Sequence, residues 1–131
     1  MLPENLGHLF DVPLQIQPTA PAVLQDGVAL TFRDLDERCN RMANALLSLG
    51  VRSGDRVALM FSNDYRFIES VLGAMRMGAV PVPLNIRMGD EAIIYVIADS
   101  EAVVVIANSD MADRARRLVC LLYTSPSPRD A

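Results

Sequence analysis

The chain contains no lysine: all 12 of its basic residues are arginine. A Walker A phosphate loop needs a lysine after its glycines, so that motif is excluded. Schiff-base and other lysine chemistry is excluded with it. Histidine is nearly absent, with His8 alone, and the two cysteines are Cys39 and Cys120. Four His/Cys ligands for a structural zinc cannot be assembled from one chain of this composition. There is no tryptophan, and no apolar run approaches the roughly 20 residues that span a bilayer. Positive charge is in deficit: 12 basic against 16 acidic residues give a net charge of -4. A nucleic-acid-binding face, which must be basic, is not expected. The first residues carry Glu4 and no lysine or arginine, unlike a signal peptide. Cys39 falls inside a helical pattern and reads as a buried free thiol, with a disulfide to Cys120 as the alternative. These features together predict a cytoplasmic protein.

What is present is 131 residues, 51% of them hydrophobic. That is enough to build a core, and it is the length of one domain. Residues 1–21 hold four prolines and no sustained periodicity. They predict a short helix around Asn5 to Phe10 and then an extended lead-in. Residues 22–30 place Asp26-Gly27 between two apolar runs, a β-hairpin signal. Thr31 with Asp34 three residues on resembles a capping box. Behind it Leu35, Cys39, Met42, Ala43, Leu46 and Leu49 recur at helical spacing, and Gly50 stops the helix. Residues 56–61 form a nearly continuous apolar run, which suits a parallel strand buried on both faces. Ser62-Asn63-Asp64 predicts a helix cap, followed by a stripe of Phe67, Ile68, Val71, Leu72 and Met75 that ends at Gly78. Residues 79–84 read as a strand despite Pro81 and Pro83, because alternate residues face the same edge. Val80, Val82 and Leu84 can then still pair on the other edge. A helix from Asp90 with Ala92, Ile93, Val96 and Ile97 inward, a strand at 103–107 and a last helix through Ala112, Ala115 and Leu118 complete the order. Alternating helices and strands after a hairpin predict an α/β fold with a mostly parallel sheet and right-handed crossovers.

Candidate chemistry is sparse. His8 has no Ser or Cys nucleophile motif beside it and reads as solvated or packed. Asp34, Asp36 and Glu37 read as a cap and a solvated helix face. Gly50, Gly54 and Gly78 read as helix stops and turns, and no GxGxxG follows any strand. Arg114, Arg116 and Arg117 cluster on the last helix, where the dipole favours them, with an anionic ligand as the alternative. No catalytic, cofactor-binding or metal-ligating residue is assigned. Taken alone, these features also allow a small non-enzymatic α/β binding domain of flavodoxin-like order.

The order of motifs goes further. Residues 29–35 (ALTFRDL) and 40–46 (NRMANAL) resemble the first core motif of the adenylate-forming enzymes, the AMP-binding superfamily of acyl-CoA synthetases, luciferases and peptide-synthetase adenylation domains. Residues 50–58 (GVRSGDRVA) resemble that family's GV-x-x-GD-x-V segment, and 72–85 (LGAMRMGAVPVPLN) its second core motif. Asp99-Ser100-Glu101-Ala102 fits the turn before the next strand. The resemblance runs from about Asn5 to Ala107, and its start and its Pro-Leu-Asn ending are closer to acyl-CoA synthetases than to adenylation domains. It implies the N-terminal portion of the family's large domain. It also implies a ligase that makes an acyl-adenylate and pyrophosphate from ATP and a small-molecule carboxylic acid with Mg²⁺, then passes the acyl group to coenzyme A. An adenylation domain that loads a carrier protein is the alternative within the family. In the family the phosphate loop, the ATP- and magnesium-binding Thr-Glu motif, the hinge acid and the catalytic lysine lie downstream of these motifs. The resemblance therefore assigns no site residue here, and a polypeptide limited to these residues is expected to be inactive and poorly soluble.

Residues 120–130 (CLLYTSPSPRD) fit neither the family nor the helix before them. One reading frame of a common transposase-type sequencing adapter translates to these eleven residues, and its preceding base suits a valine codon for Val119. The expectation is a family domain over 1–119 and a non-native tail over 120–131.

Overall fold

The computed structural model describes residues 5–124. They fall into two compact units: one holds the residues up to Asp55 with Asp64–Val80, the other Arg56–Asn63 with the residues from Pro81 onward.

The first unit opens on a 3-10 turn, Leu6–His8, followed by helix α1, Asp11–Ile16. The extended lead-in expected after residue 10 is thus helical. Pro13 sits in the first turn of α1, where its missing N–H had no intrahelical partner to lose. Strands β1 (Pro21–Gln25) and β2 (Val28–Thr31) form the antiparallel hairpin. Asp26 and Gly27 both take positive φ, at 48° and 80°, as a two-residue hairpin turn requires. Helix α2, Phe32–Ser48, begins with the capping box: the Thr31 side chain accepts from Asp34 N at 3.1 Å, and Asp34 Oδ2 accepts from Thr31 N at 3.0 Å. Leu35, Cys39, Ala43 and Leu46 are buried as the periodicity predicts. Leu49 is 70% exposed, because it lies just beyond the last helical residue and off the inward stripe.

Helix α3, Arg66–Arg76, packs on α2 in the same unit. Its packed face differs from the expected stripe. Leu72 is buried, but so are Glu69, Ser70, Gly73 and Ala74, while Ile68 is 37% exposed. Close approach of the two helices turns the small residues inward. A Cβ added at Gly73 would lie 2.6 Å from Met42 Cβ. The expected side-chain cap acts one residue early: Asp64 Oδ1 accepts from Arg66 N at 2.8 Å, and Tyr65 occupies the cap position without a side-chain bond.

The second unit carries β3 (Arg56–Met60), α4 (Asp90–Ser100), β5 (Val104–Ala107) and α5 (Ala112–Thr124). Strand β4 is Val80–Pro83, and the sheet order is β4-β3-β5. Val57, Ala58, Leu59 and Met60 are at most 1% exposed, as a central strand requires. β3 and β5 are parallel. Along β4, Val80 N donates to Asp55 O at 2.7 Å and Leu84 N to Leu59 O at 2.9 Å, so donor and acceptor advance in the same direction. Pro81 and Pro83 alternate with these donors and blunt the other edge. Ala58, Met60, Leu84, Ile93, Ile97, Ala115 and Leu118 form the core of this unit. Glu101 ends α4 in the left-handed region, φ 58°.

Helix α5 continues through Cys120–Thr124, and Leu122 packs against the core. The expectation that residues 120–130 do not fit the helix before them is corrected for Cys120–Thr124: Leu121 and Leu122 are good helix formers, and the next proline in the sequence is Pro126. The remainder of the expected tail lies outside the described residues.

Candidate functional site

The C-terminal ends of the parallel strands in the second unit are where an open α/β sheet offers ligand-binding crevices. Ser62 follows β3 there, and Asn108 follows β5. Asn108 is buried and donates from Nδ2 to Ser62 Oγ at 2.8 Å, while its Oδ1 accepts from Ser62 N at 3.4 Å. Ser62 Oγ in turn donates to Asp110 Oδ2 at 3.2 Å. The network braces two loops against each other and satisfies its own polar atoms.

The three arginines of α5 are spoken for by this chain. Arg114 donates to Asp90 Oδ1 at 3.0 Å, to Ile86 O at 2.7 Å and to Met88 O at 2.9 Å. Arg117 reaches the other oxygen of Asp90 at 3.1 Å, and Arg116 pairs with Asp113 at 3.1 Å. The two guanidinia beside Asp90 hold its carboxyl below the usual range. These pairs tie the loop before α4 to α5. The cluster is therefore held by ion pairs and loop carbonyls, and the expected helix-dipole reason for it is corrected: α5 runs on to Thr124, so the three arginines lie in its N-terminal half and its last turn carries no basic residue. A groove of about 450 Å³ lies beside α5, lined by Val105, Ala107, Ala115, Val119 and Cys120 among others. Its lining is mainly apolar, with Arg116 as the charged side chain and no carboxylate among the lining residues.

In the first unit, Arg38 forms a two-point ion pair with the buried Glu69, one arm of it Nη2 to Oε1 at 3.1 Å. Glu69 holds the Arg38 guanidinium above its ordinary value. Arg38 and Arg66 both stack on the Tyr65 ring, at 5.6 and 4.6 Å from its centroid. Neither the 31-residue separation of Arg38 and Glu69 nor any local pattern announces this pair in the sequence. Asp34 is held below its usual range, chiefly by the Thr31 backbone N–H. Asp36 accepts an ion pair from Arg76 at 2.8 Å. Glu37 is exposed on α2. His8 Nδ1 lies 3.3 Å from the Asp11 carboxylate, and both side chains are partly exposed. Cys39, buried, and Cys120, exposed, form no disulfide, so that alternative is not adopted. Burial pushes the Cys39 thiol up to about 11.

Gly50, Gly54 and Gly78 all take positive φ, between 85° and 89°. Gly50 and Gly78 follow helix ends, and Gly54 N donates to Gly78 O at 2.8 Å. Their N–H groups serve backbone turns rather than a phosphate cradle. No group of three or more His, Cys, Asp or Glu side chains among the described residues could hold a metal ion. No described helix is long and apolar enough to cross a membrane.

A profile of the family described as AMP-binding enzyme matches residues 10–129. The chain is 39% identical over 104 residues to a feruloyl-CoA synthase of Amycolatopsis, covering 79% of this chain and 21% of that protein. It is 31% identical over 113 residues to surfactin synthase subunit 3 of Bacillus subtilis, covering 86% of this chain and 9% of that protein. Among solved structures, the N-terminal domain of FACL13 from Mycobacterium tuberculosis superposes with a TM-score of 0.82 at 28% identity, covering 95% of this chain and 31% of that one. The chain thus spans about a fifth of the length of the feruloyl-CoA synthase it matches.

Proposed function

Because this chain belongs to the AMP-binding enzyme family, we propose that it supplies the structural scaffold, and not the catalytic groups, of an ATP-dependent acyl-CoA synthetase in the cytoplasm. Relatives of both kinds, CoA ligases and peptide-synthetase subunits, are adenylate-forming proteins. The whole protein would join a small carboxylic acid to ATP with Mg²⁺, release pyrophosphate, and pass the acyl group to coenzyme A. The higher identity to the feruloyl-CoA synthase supports coenzyme A as the acceptor. A carrier protein as acceptor is the second reading, favoured by the surfactin synthase match.

The observation that carries the scaffold reading is where the charged groups go. Arg38, Arg76, Arg114, Arg116 and Arg117 are each paired with a carboxylate of this chain. Stabilising a pentavalent phosphorus transition state needs cationic and N–H donors aimed at the reacting oxygens. These five are aimed at loops and helices of this chain instead. The eleven-residue match to an adapter translation further supports a domain portion ending at Val119. A native codon run through residues 120–131 in the resequenced source DNA would refute that assignment.

A chimera tests the function. Residues 5–119 replace the matching segment of the Amycolatopsis feruloyl-CoA synthase and, separately, of the surfactin synthase adenylation region. The expected result is feruloyl-CoA formation within about tenfold of the parent, with the parent's choice of acid kept. A folded chimera active only in the surfactin synthase host would favour the carrier-loading reading.

A further inference from the structure

Residues 5–16 hold to the first unit in an unusual way. Gly7 is the one buried residue among them, while Leu6, Leu9, Val12 and Ile16 are exposed. Apolar burial on this scale is too small to fix twelve residues against their chain entropy. The polar attachments instead converge on Arg76, whose side chain is only 7% exposed. Arg76 Nε donates to Gly7 O at 2.7 Å, and Asn5 Nδ2 donates to Arg76 O at 3.3 Å. The other end of the guanidinium is fixed on α2. Its Nη1 donates to Asp36 O at 3.1 Å and Asn40 Oδ1 at 2.9 Å, and pairs with Asp36 Oδ1 at 2.8 Å.

Gly7 is there for space. A Cβ at this position would lie 2.5 Å from Arg76 N and 2.8 Å from Arg76 Cα, backbone atoms that cannot step aside. Further along, Phe10 and Leu14 close over Phe32, Leu35 and Leu72 and leave a void of about 10 Å³. That space barely reaches the size of one water. Beyond α1 the chain is fixed again: Arg33 N donates to Pro18 O at 3.0 Å and Phe32 N to Ala20 O at 3.1 Å. Gln17 lies between the two anchored regions, its N–H donating back to Pro13 O and its carbonyl accepting from Ala20 N.

We propose that residues 5–16 are a strap, latched by Arg76, that opens as a unit about Gln17 and uncovers the apolar cleft of Phe32, Leu35 and Leu72. Opening breaks the Arg76 contacts to residues 5–8 and leaves its contacts to α2 in place; once uncovered, turns this short do not hold their own internal bonds, so their amides exchange. Beneath the cleft, Leu35 and Leu72 also pack with Val23 and Cys39, which lie outside its lining. Local openings of this kind lie below the free energy of global unfolding.

Amide exchange on the full chain tests the strap. Leu9, Leu14 and Gln17, whose N–H groups are bonded within the strap region, should exchange together and at least tenfold faster than Cys39 and Ala43 in α2. Gly7→Ala leaves Arg76 intact but forces the turn off it. It should speed the strap amides a further tenfold or more and leave α2 within twofold. Arg76→Ala should do the same if it folds, and Gly7→Ala decides the matter if it does not. The proposal is overturned if strap and α2 amides exchange at one common rate, if Gly7→Ala slows or spares the strap, or if it speeds α2 as much as the strap.

Discussion

At the scale of single residues, most charged and polar groups have an assignable structural task. Thr31 and Asp34 close the N-terminus of α2 reciprocally. Thr31→Ala should therefore cost about 1 kcal/mol of stability by denaturant unfolding, the usual size of a lost cap. Asp34 and Asp90 both have carboxyl groups held below the ordinary value of 3.8. Their contribution is fully present above the unfolded value and is lost as pH falls through the lowered folded values. The melting temperature should stay level above about pH 5 and drop below about pH 4, where unfolded carboxylates begin to protonate. Asp34→Asn should flatten part of that drop in a calorimetric pH series. The two thiols should separate cleanly. Burial raises the Cys39 thiol to about 11, whereas Cys120 is exposed. A thiol reagent at neutral pH should modify Cys120 and reach Cys39 only on unfolding, since the thiolate is the reactive form.

At the scale of elements, local chemistry made some features legible and long-range pairing hid others. The hairpin was readable because Asp26-Gly27 names its own turn, and α2 because cap, periodic stripe and Gly50 agree. Strand β4 was readable in spite of Pro81 and Pro83, since prolines at alternate positions spoil one edge only. Amide exchange should find the Val82 N–H protected, as expected for a strand paired on its β3 side. The face of α3 was misread, because its burial is set by approach to α2 rather than by its own apolar residues. Gly73 is the evidence: Gly73→Val would push a branched side chain into Met42 and the Cys39 carbonyl. A loss of about 1–3 kcal/mol is expected, the common cost of overpacking. Helix α1 was missed because Pro13 reads as a breaker unless the register of the helix start is known. The Arg38–Glu69 pair and the Arg76 hub were invisible for another reason. The Arg38 partner is 31 residues away and those of Arg76 between 36 and 71, and a charged residue on a helix reads as solvated until its partner is placed.

For the whole chain, the motif order carried what the side-chain inventory could not. The family was legible from 29–35, 40–46, 50–58 and 72–85, and the profile match over residues 10–129 establishes it. Those motifs turn out to contain caps, helix stops, a blunted strand edge and a close helix approach. These are structural features, and they are what the scaffold proposal expects of motifs that identify a family. The measurement closest to this claim is carboxylate-dependent ATP–pyrophosphate exchange by the purified chain, offered ferulate, hexadecanoate and the common amino acids in turn. The scaffold account predicts no exchange above the protein-free background with any of them. Exchange that depends on one of these acids, and that disappears when Arg114 or Arg38 is replaced by alanine in a chain still folded, would contradict it.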